Sequence, residues 1–150
     1  MREFANLAEL AAAKGSEIGV SPWLVVDQAR IDKFAEATDD FQWIHVDPDR
    51  TRKELGMPTI AHGYLTLSLI PRFLSEVYKV SSVIRALNYG SNKVRYTNMV
   101  PAGARIRGRV FLQRATLEVG SIRTISNIAI EIENEEKPAL VAEIISMMFE

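Results

Sequence analysis

One segment of the chain, residues 61–79, is apolar on almost every side of the helix that its spacing predicts. Its large apolar residues cover most of the helical circumference: Leu65, Leu67, Leu69, Ile70, Phe73, Leu74 and Val77. A helix that is apolar nearly all round has to be buried on all sides. The rest of the chain must therefore surround this segment. Pro71 lies inside it and is expected to bend it locally, because proline has no backbone N–H.

After Ala86 the apolar residues recur at every second position, which is typical of strands. The alternation predicts a meander of about four strands, 86–96, 104–118, 121–133 and 138–149, with hairpin connections at Glu118–Gly120 and Asn134–Glu136. The first part of the chain is more mixed. Its patterns predict a helix over 3–13, a strand over 17–26 interrupted at Ser21-Pro22, a helix after the N-cap Asp27, a loop from Asp39 to His45, and a short helix from Pro48 to Leu55.

A single antiparallel sheet wrapped around the long apolar helix buries both the helix and the inner face of the sheet. This layout is that of a hotdog fold, in the α+β class, and 150 residues suit one domain over 1–150. Such a sheet has exposed edge strands, which edge-to-edge pairing would cover. We therefore expect a homodimer.

Composition excludes several kinds of protein. With 18 Lys+Arg against 19 Asp+Glu the chain is not a general nucleic-acid binder, and no aromatic residue interleaves the basic row Arg105, Arg107 and Arg109. The chain has no cysteine, which excludes disulfides, thiolate metal sites and a cysteine nucleophile, and which fits a cytoplasmic location. No apolar run has the roughly 20 residues of a membrane span, and the first residues do not read as a secretory signal.

The chain has two histidines, and the first follows a pair of carboxylates in Thr38-Asp39-Asp40-Phe41-Gln42-Trp43-Ile44-His45. In a loop, Asp40 and His45 can converge on one point and form an acid/base pair that holds and activates a water molecule. The alternative is structural: the aspartates form a solvated helix end, and His45 packs beside the Asp47 turn. Spacing alone leaves both open.

The second histidine lies in Thr59-Ile60-Ala61-His62-Gly63-Tyr64, where the apolar helix should begin. The start of a helix has unpaired backbone N–H groups, and Gly63 would let a carbonyl oxygen approach them closely enough for oxyanion stabilisation. The alternative is that Gly63 only allows tight packing and that His62 only caps the helix.

Residues 34–48 together with Ile60–Tyr64 resemble the MaoC-like (R)-specific enoyl-CoA hydratases. The likeness is greatest to the NodN-like branch of single-hotdog dehydratases, which residues 87–96 also resemble. Asp-x4-His followed by His-Gly is fairly specific as a combination. Two departures are visible: Gln42-Trp43 stands where many members have Asn-Pro, and Pro71 stands where some carry a serine, with Ser68 one turn earlier.

The resemblance implies that Asp40 and His45 are catalytic and that the N–H of Gly63 meets the thioester carbonyl. The substrate would be a trans-2-enoyl thioester of CoA or of acyl-carrier protein, hydrated to the (R)-3-hydroxyacyl thioester without a cofactor or metal. His62, Gln42, Tyr64 and Asn88 join the expected substrate-binding residues.

Further expectations concern the two ends of the substrate. The acyl chain would lie along the central helix near Tyr64, Leu65 and Leu69, and phosphates would meet cations chosen from Lys93, Arg95, Arg105 and Arg107. A hotdog thioesterase and a non-catalytic acyl-thioester binding or signalling module remain as alternatives.

Overall fold

The computed structural model covers residues 1–150 and contains eight strands and six helices. The strands are β1 (Arg2–Phe4), β2 (Ser16–Val20), β3 (Leu24–Val25), β4 (Tyr78–Val80), β5 (Arg85–Tyr96), β6 (Arg105–Glu118), β7 (Ser121–Ile132) and β8 (Leu140–Phe149). The helices are α1 (Leu7–Ala12), α2 (Gln28–Thr38), α3 (Trp43–Val46), α4 (Pro48–Leu55), α5 (Gly63–Ser68) and α6 (Ile70–Val77). The four long strands begin and end within about two residues of the predicted bounds.

The main sheet is antiparallel, with the strand order β2-β6-β7-β8-β5 and with β3 pairing β6 beyond the end of β2. The predicted meander is therefore correct for β6, β7 and β8 and wrong for β5. That strand pairs with β8 at the opposite edge, from Arg85 facing Phe149 to Tyr96 facing Leu140. Alternating apolar residues identify a strand but not its neighbour, because any apolar sheet face satisfies the same pattern.

The apolar segment lies against the inner face of this sheet, which confirms the hotdog fold. It forms two consecutive helices rather than one, since α5 ends at Ser68, Leu69 is the junction, and Pro71 lies in the first turn of α6. The predicted bend therefore divides the helix. The helix also ends earlier than predicted, at Val77, because Tyr78–Val80 pairs in parallel with Arg2–Phe4.

That pairing also shortens the predicted first helix. Residues 2–4 are a strand, and α1 begins only at Leu7, after Asn6 accepts a hydrogen bond from the N–H of Glu9 as its N-cap. The loop predicted before His45 likewise contains one turn of helix, α3, which is followed directly by α4 and its N-cap Asp47. Strand β1 depends on its pairing with β4, and α3 is bonded to a later segment through the N–H of Ile60 and the oxygen of Ile44. Both short elements therefore depend on contacts between residues distant in sequence.

Helix and sheet approach each other most closely at Gly108 in β6. A Cβ atom built on Gly108 would lie 2.7 Å from the Cβ of Phe73, whose side chain is fully buried. The backbone of Gly108 also exchanges hydrogen bonds with Ser21, the residue at the interruption between β2 and β3. The absence of a side chain at position 108 therefore sets the distance between α6 and the sheet.

Strand β5 is a long open edge. Eleven of its twelve residues are exposed, among them the large side chains of Leu87, Tyr89 and Tyr96. None of the helices combines the length and the apolar character needed to cross a membrane.

Candidate functional site

Asp40, His45 and His62 come together although they belong to different parts of the fold. Asp40 follows the C-terminus of α2, where Asp39 adopts the left-handed conformation that ends the helix, with φ 57°. His45 lies in α3, and His62 is the residue before α5. One side-chain ligand atom from each of the three lies within 4.8 Å of the other two.

His45 is held by the backbone. Its imidazole is buried, with 7% of its surface exposed, and its Nδ1–H donates to the carbonyl oxygen of Ile60 over 2.7 Å. That bond leaves the lone pair on Nε2, the nitrogen without a partner in the chain. Burial lowers the pKa of His45 below its usual 6.5, and the neighbouring His62 lowers it further. The hydrogen bond to Ile60 and the charge of Asp40 raise the pKa, but they do not offset the effect of burial. The imidazole is therefore neutral at pH 7 and able to accept a proton.

His62 lies directly against this imidazole. The two rings stack with centroids 3.8 Å apart and 27° between their planes, and Phe34 packs against His62 at 5.0 Å. The Nε2–H of His62 donates to the backbone oxygen of Asp40 over 3.0 Å, whereas its buried Nδ1 has no partner. His62 occupies the N-cap position of α5, but its side chain makes no capping hydrogen bond. It links the helix start to the chain at Asp40 instead.

The carboxylate of Asp40 is the open side of the cluster, with 51% of its side chain exposed. Its Oδ1 accepts a 3.5 Å hydrogen bond from the N–H of Gln42, and its Oδ2 lies 4.0 Å from Nε2 of His62. An accessible carboxylate beside a neutral, buried imidazole can hold a water molecule and exchange protons with it.

The same three side chains have the composition of a metal site. Their geometry does not favour one, because the lone pairs of the two stacked imidazoles lie in ring planes that are 3.8 Å apart at their centroids and inclined by only 27°. Metal ligands must instead converge on a point about 2.1 Å from each nitrogen. Nδ1 of His45 and Nε2 of His62 are also already used in bonds to backbone carbonyls. The arrangement suits a shared water molecule better than a metal ion.

Gly63 is the first residue of α5, and its N–H donates no hydrogen bond within the chain. The ring of Tyr96 covers its Cα: a Cβ on Gly63 would lie 3.0 Å from two ring carbons. Close packing and a free donor therefore occur together at this position. Tyr64 is mostly exposed and meets Tyr96 edge to face, with centroids 6.0 Å apart.

Of the three residues expected to line an acyl tunnel, Leu65 and Leu69 are packed into the core of the single chain, and Tyr64 is exposed. Leu65 also lines a cleft against α2, and further open space lies between α5–α6 and β5. Two clefts there have volumes of about 360 and 350 Å³, and Pro71 and Asn88 line both. Asn88 makes no side-chain hydrogen bond and does not tie down the loop at residues 40–45, and the side chain of Gln42 likewise has no partner.

Two of the expected phosphate-binding cations are already neutralised. Arg105 binds Glu133 and Arg107 binds Glu131, at 2.7 and 2.6 Å, on the outer face of the sheet. Both guanidinium groups also lie over the ring of Trp23. Lys93 and Arg95, on the β5 edge, form no ion pair.

Three groups around the site were not found by sequence reasoning: the carbonyl of Ile60, the ring of Tyr96 and the side chain of Gln28. Gln28 donates to the backbone oxygen of His45 over 2.8 Å. Of the three, Gln28 alone has a visible sequence feature. It is a polar residue on the buried face of α2, three and seven positions before Ile31 and Ala35.

The sequence matches known proteins over almost its whole length. It is 44% identical over 144 residues to "3-hydroxyacyl-thioester dehydratase Z" of Mycobacterium tuberculosis, covering 95% of each chain. It is 42% identical over 146 residues to "Nodulation protein N" of Rhizobium leguminosarum bv. viciae, covering 95% of this chain and 91% of that protein.

Among solved structures, an unliganded R-hydratase from Pseudomonas aeruginosa superposes with a TM-score of 0.75 at 19% identity, over 98% of this chain and 87% of the other. At that identity the likeness concerns the fold. The family model described as "MaoC like domain" matches residues 9–133, which include Asp40, His45, His62 and Gly63. The chain belongs to the MaoC-like dehydratase family.

Proposed function

We propose that the protein is an (R)-specific hydratase/dehydratase that adds water across the C2–C3 double bond of a trans-2-enoyl thioester, or removes it from the (R)-3-hydroxyacyl thioester. Family membership and the name of the mycobacterial relative support this reaction class. The observation that carries the proposal is the convergence of a neutral, backbone-oriented His45 with the accessible carboxylate of Asp40.

In the proposed mechanism Asp40 and His45 hold one water molecule. The water oxygen forms a bond to C3 as the C2–C3 double bond is lost, the pair removes one proton from that water, and one proton is delivered to C2 on the same face. Dehydration follows the same steps in reverse. Since His45 is neutral at pH 7, its Nε2 can accept the proton without first losing one.

The negative charge that develops on the thioester oxygen needs a donor, and we assign this role to the N–H of Gly63. The donor has no competing acceptor in the chain and follows His62, which contacts both His45 and Asp40. Loss of one such donor costs on the order of 3 kcal/mol of transition-state stabilisation in other enzymes.

We place the acyl chain in the clefts between α5–α6 and β5, where Asn88 and Ser68 supply polar groups and Leu67 an apolar wall. Gln42, His62 and Tyr64 border the reacting end. We also propose a homodimer in which two β5 edges pair, because this strand exposes both its backbone and large apolar side chains. Sedimentation at several concentrations tests the dimer.

Three further proposals concern the setting. Residues 1–150 act as one domain, the acyl group is carried on CoA or on acyl-carrier protein, and the reaction serves fatty-acid metabolism in the cytoplasm. Assays with both carriers, together with cell fractionation, test these assignments.

The decisive experiment is hydration of crotonyl-CoA, with chiral analysis of the product. Asp40→Asn and His45→Gln should each lower kcat by roughly 10²–10⁴-fold in a protein that still folds. Asp39→Asn is the matched control: Asp39 is exposed, and asparagine readily adopts its left-handed conformation. Near-normal turnover in both test variants removes the pair from the mechanism. Release of free thiol would indicate a thioesterase, and binding without turnover a non-catalytic module.

A further inference from the structure

We propose that Gln28 is a positioning residue for the reaction, because its side-chain amide fixes the backbone that orients His45. This inference rests on the proposed function for its kinetic consequence. The amide makes no hydrogen bond to either imidazole, and it is not among the residues that border the reacting end. Its effect is exerted through the main chain of α3 and through the segment before α5.

All the hydrogen-bonding groups of this amide are used. Nε2 donates to the backbone oxygen of His45 over 2.8 Å and to Oδ1 of Asp32 over 2.7 Å. Oε1 accepts a short hydrogen bond from the hydroxyl of Thr59, which is almost completely buried. A half-buried amide whose two N–H groups and oxygen are all hydrogen-bonded has a single preferred orientation.

The three partners lie in the three segments that build the site. Gln28 and Asp32 belong to α2, the helix that leads to Asp40; His45 belongs to α3; and Thr59 lies in the segment that leads to His62. Gln28 is thus one side chain that binds α3 and the 59–62 segment at the same time.

The relative position of those two segments determines the state of His45. The Nδ1–H of His45 donates to the oxygen of Ile60, and the N–H of Ile60 donates to the oxygen of Ile44. If α3 shifts against residues 59–60, the bond that keeps the proton on Nδ1 and the lone pair on Nε2 is weakened. A misplacement of about 1 Å in a catalytic group commonly costs around 10²-fold in rate.

Gln28→Glu tests the inference with almost no change in volume. Glutamate keeps an oxygen for Thr59 but replaces both donated hydrogen bonds by contacts between oxygen atoms. We expect kcat for crotonyl-CoA to fall about 10–100-fold while KM changes less than threefold, because the substrate itself is not contacted. Gln113→Glu, the same change at an exposed position of β6, is the matched control and should leave both constants unchanged.

A second measurement separates positioning from general stability. The chain has only two histidines, so nitrogen-15 spectra of the imidazoles can be assigned with one histidine variant. In the unmodified protein His45 should carry its proton on Nδ1; in Gln28→Glu the folded protein should show a mixture of the two tautomers. An unaltered His45 spectrum together with unaltered kcat per folded molecule overturns the inference.

If Gln28→Glu does not fold, Thr59→Val provides the test, since it replaces only the hydroxyl that donates to Oε1 of Gln28 by a methyl group. It should change the His45 spectrum and kcat in the same direction by a smaller factor, and no change in either overturns the inference. If the unmodified protein does not hydrate enoyl thioesters, the proposed function fails, but the tautomer measurement still decides whether Gln28 positions His45.

Discussion

Gly108→Ala is a direct test of how the central helix meets the sheet. The new methyl group would lie 2.7, 3.1 and 3.3 Å from Cβ, Cγ and Cδ2 of Phe73. Phe73 is fully buried, and both backbone groups of Gly108 are bonded to Ser21. Neither side can therefore move away without breaking other contacts.

The expected cost follows from two opposing terms. Overpacking a core by one carbon typically costs about 1–3 kcal/mol. Replacing glycine by alanine returns about 0.4–1 kcal/mol, because the unfolded chain has fewer conformations. The free energy of unfolding should fall by about 1–2 kcal/mol, which in a chain of this size lowers Tm by about 2–8 °C.

Thermal and urea unfolding measure the effect, and Gly90→Ala is the control. A Cβ on Gly90 meets no atom within 4 Å and its φ is not positive, so its stability should stay within about 0.5 kcal/mol of the original. Phe73→Leu should cost less in the Gly108→Ala background than alone, because leucine makes room for the methyl group. Unchanged or increased stability of Gly108→Ala would refute the close-approach argument.

Two further predictions concern the site. The unfolded chain protonates His45 near pH 6.5 and the folded chain only at lower pH, so the unfolded state binds more protons between those values. The contribution of His45 to the free energy of unfolding should therefore be constant above about pH 6.5 and decrease as the pH falls below that value. Urea midpoints measured from pH 5 to 8 test this. If the same decrease below pH 6.5 persists in His45→Gln, the assignment to His45 is contradicted. Gly63→Ala places a Cβ 3.0 Å from the ring of Tyr96, which is half-exposed and can move, so the loss of stability should be small. The added methyl group should hinder the approach of the thioester oxygen to the N–H of residue 63, so kcat should decrease by more than the loss of stability explains. Equal kcat in this variant, from crotonyl-CoA assays alongside thermal unfolding, would argue against the oxyanion role.

The long strands and the bend in the central helix could be predicted because the evidence for them is local. Alternating apolar residues over 105–118 and 121–132 define two strands without knowledge of their partners, and Pro71 breaks a helix wherever that helix packs. The position of β5 beside β8 could not be predicted in this way, since pairing depends on contacts between residues about 50 positions apart.

The same distinction between local and long-range evidence applies to the candidate site. Asp40, His45, His62 and Gly63 could be named because they form a recognisable pattern. The stacking of the two imidazoles and the backbone carbonyls that fix their protons depend on how three segments meet. The spacing of residues in the sequence does not predict how these three segments pack against one another.

The place of β8 in the sheet has a consequence for how the protein is made. The last strand of the chain lies between β7 and β5 and supplies the backbone partner of each. Until residues 140–149 have left the ribosome, β5 has no strand to join, and the helices beside it lack part of their cover. Closure of the sheet is therefore a long-range event, and a nascent chain in which β8 has not yet paired exposes the apolar surface that β8 covers.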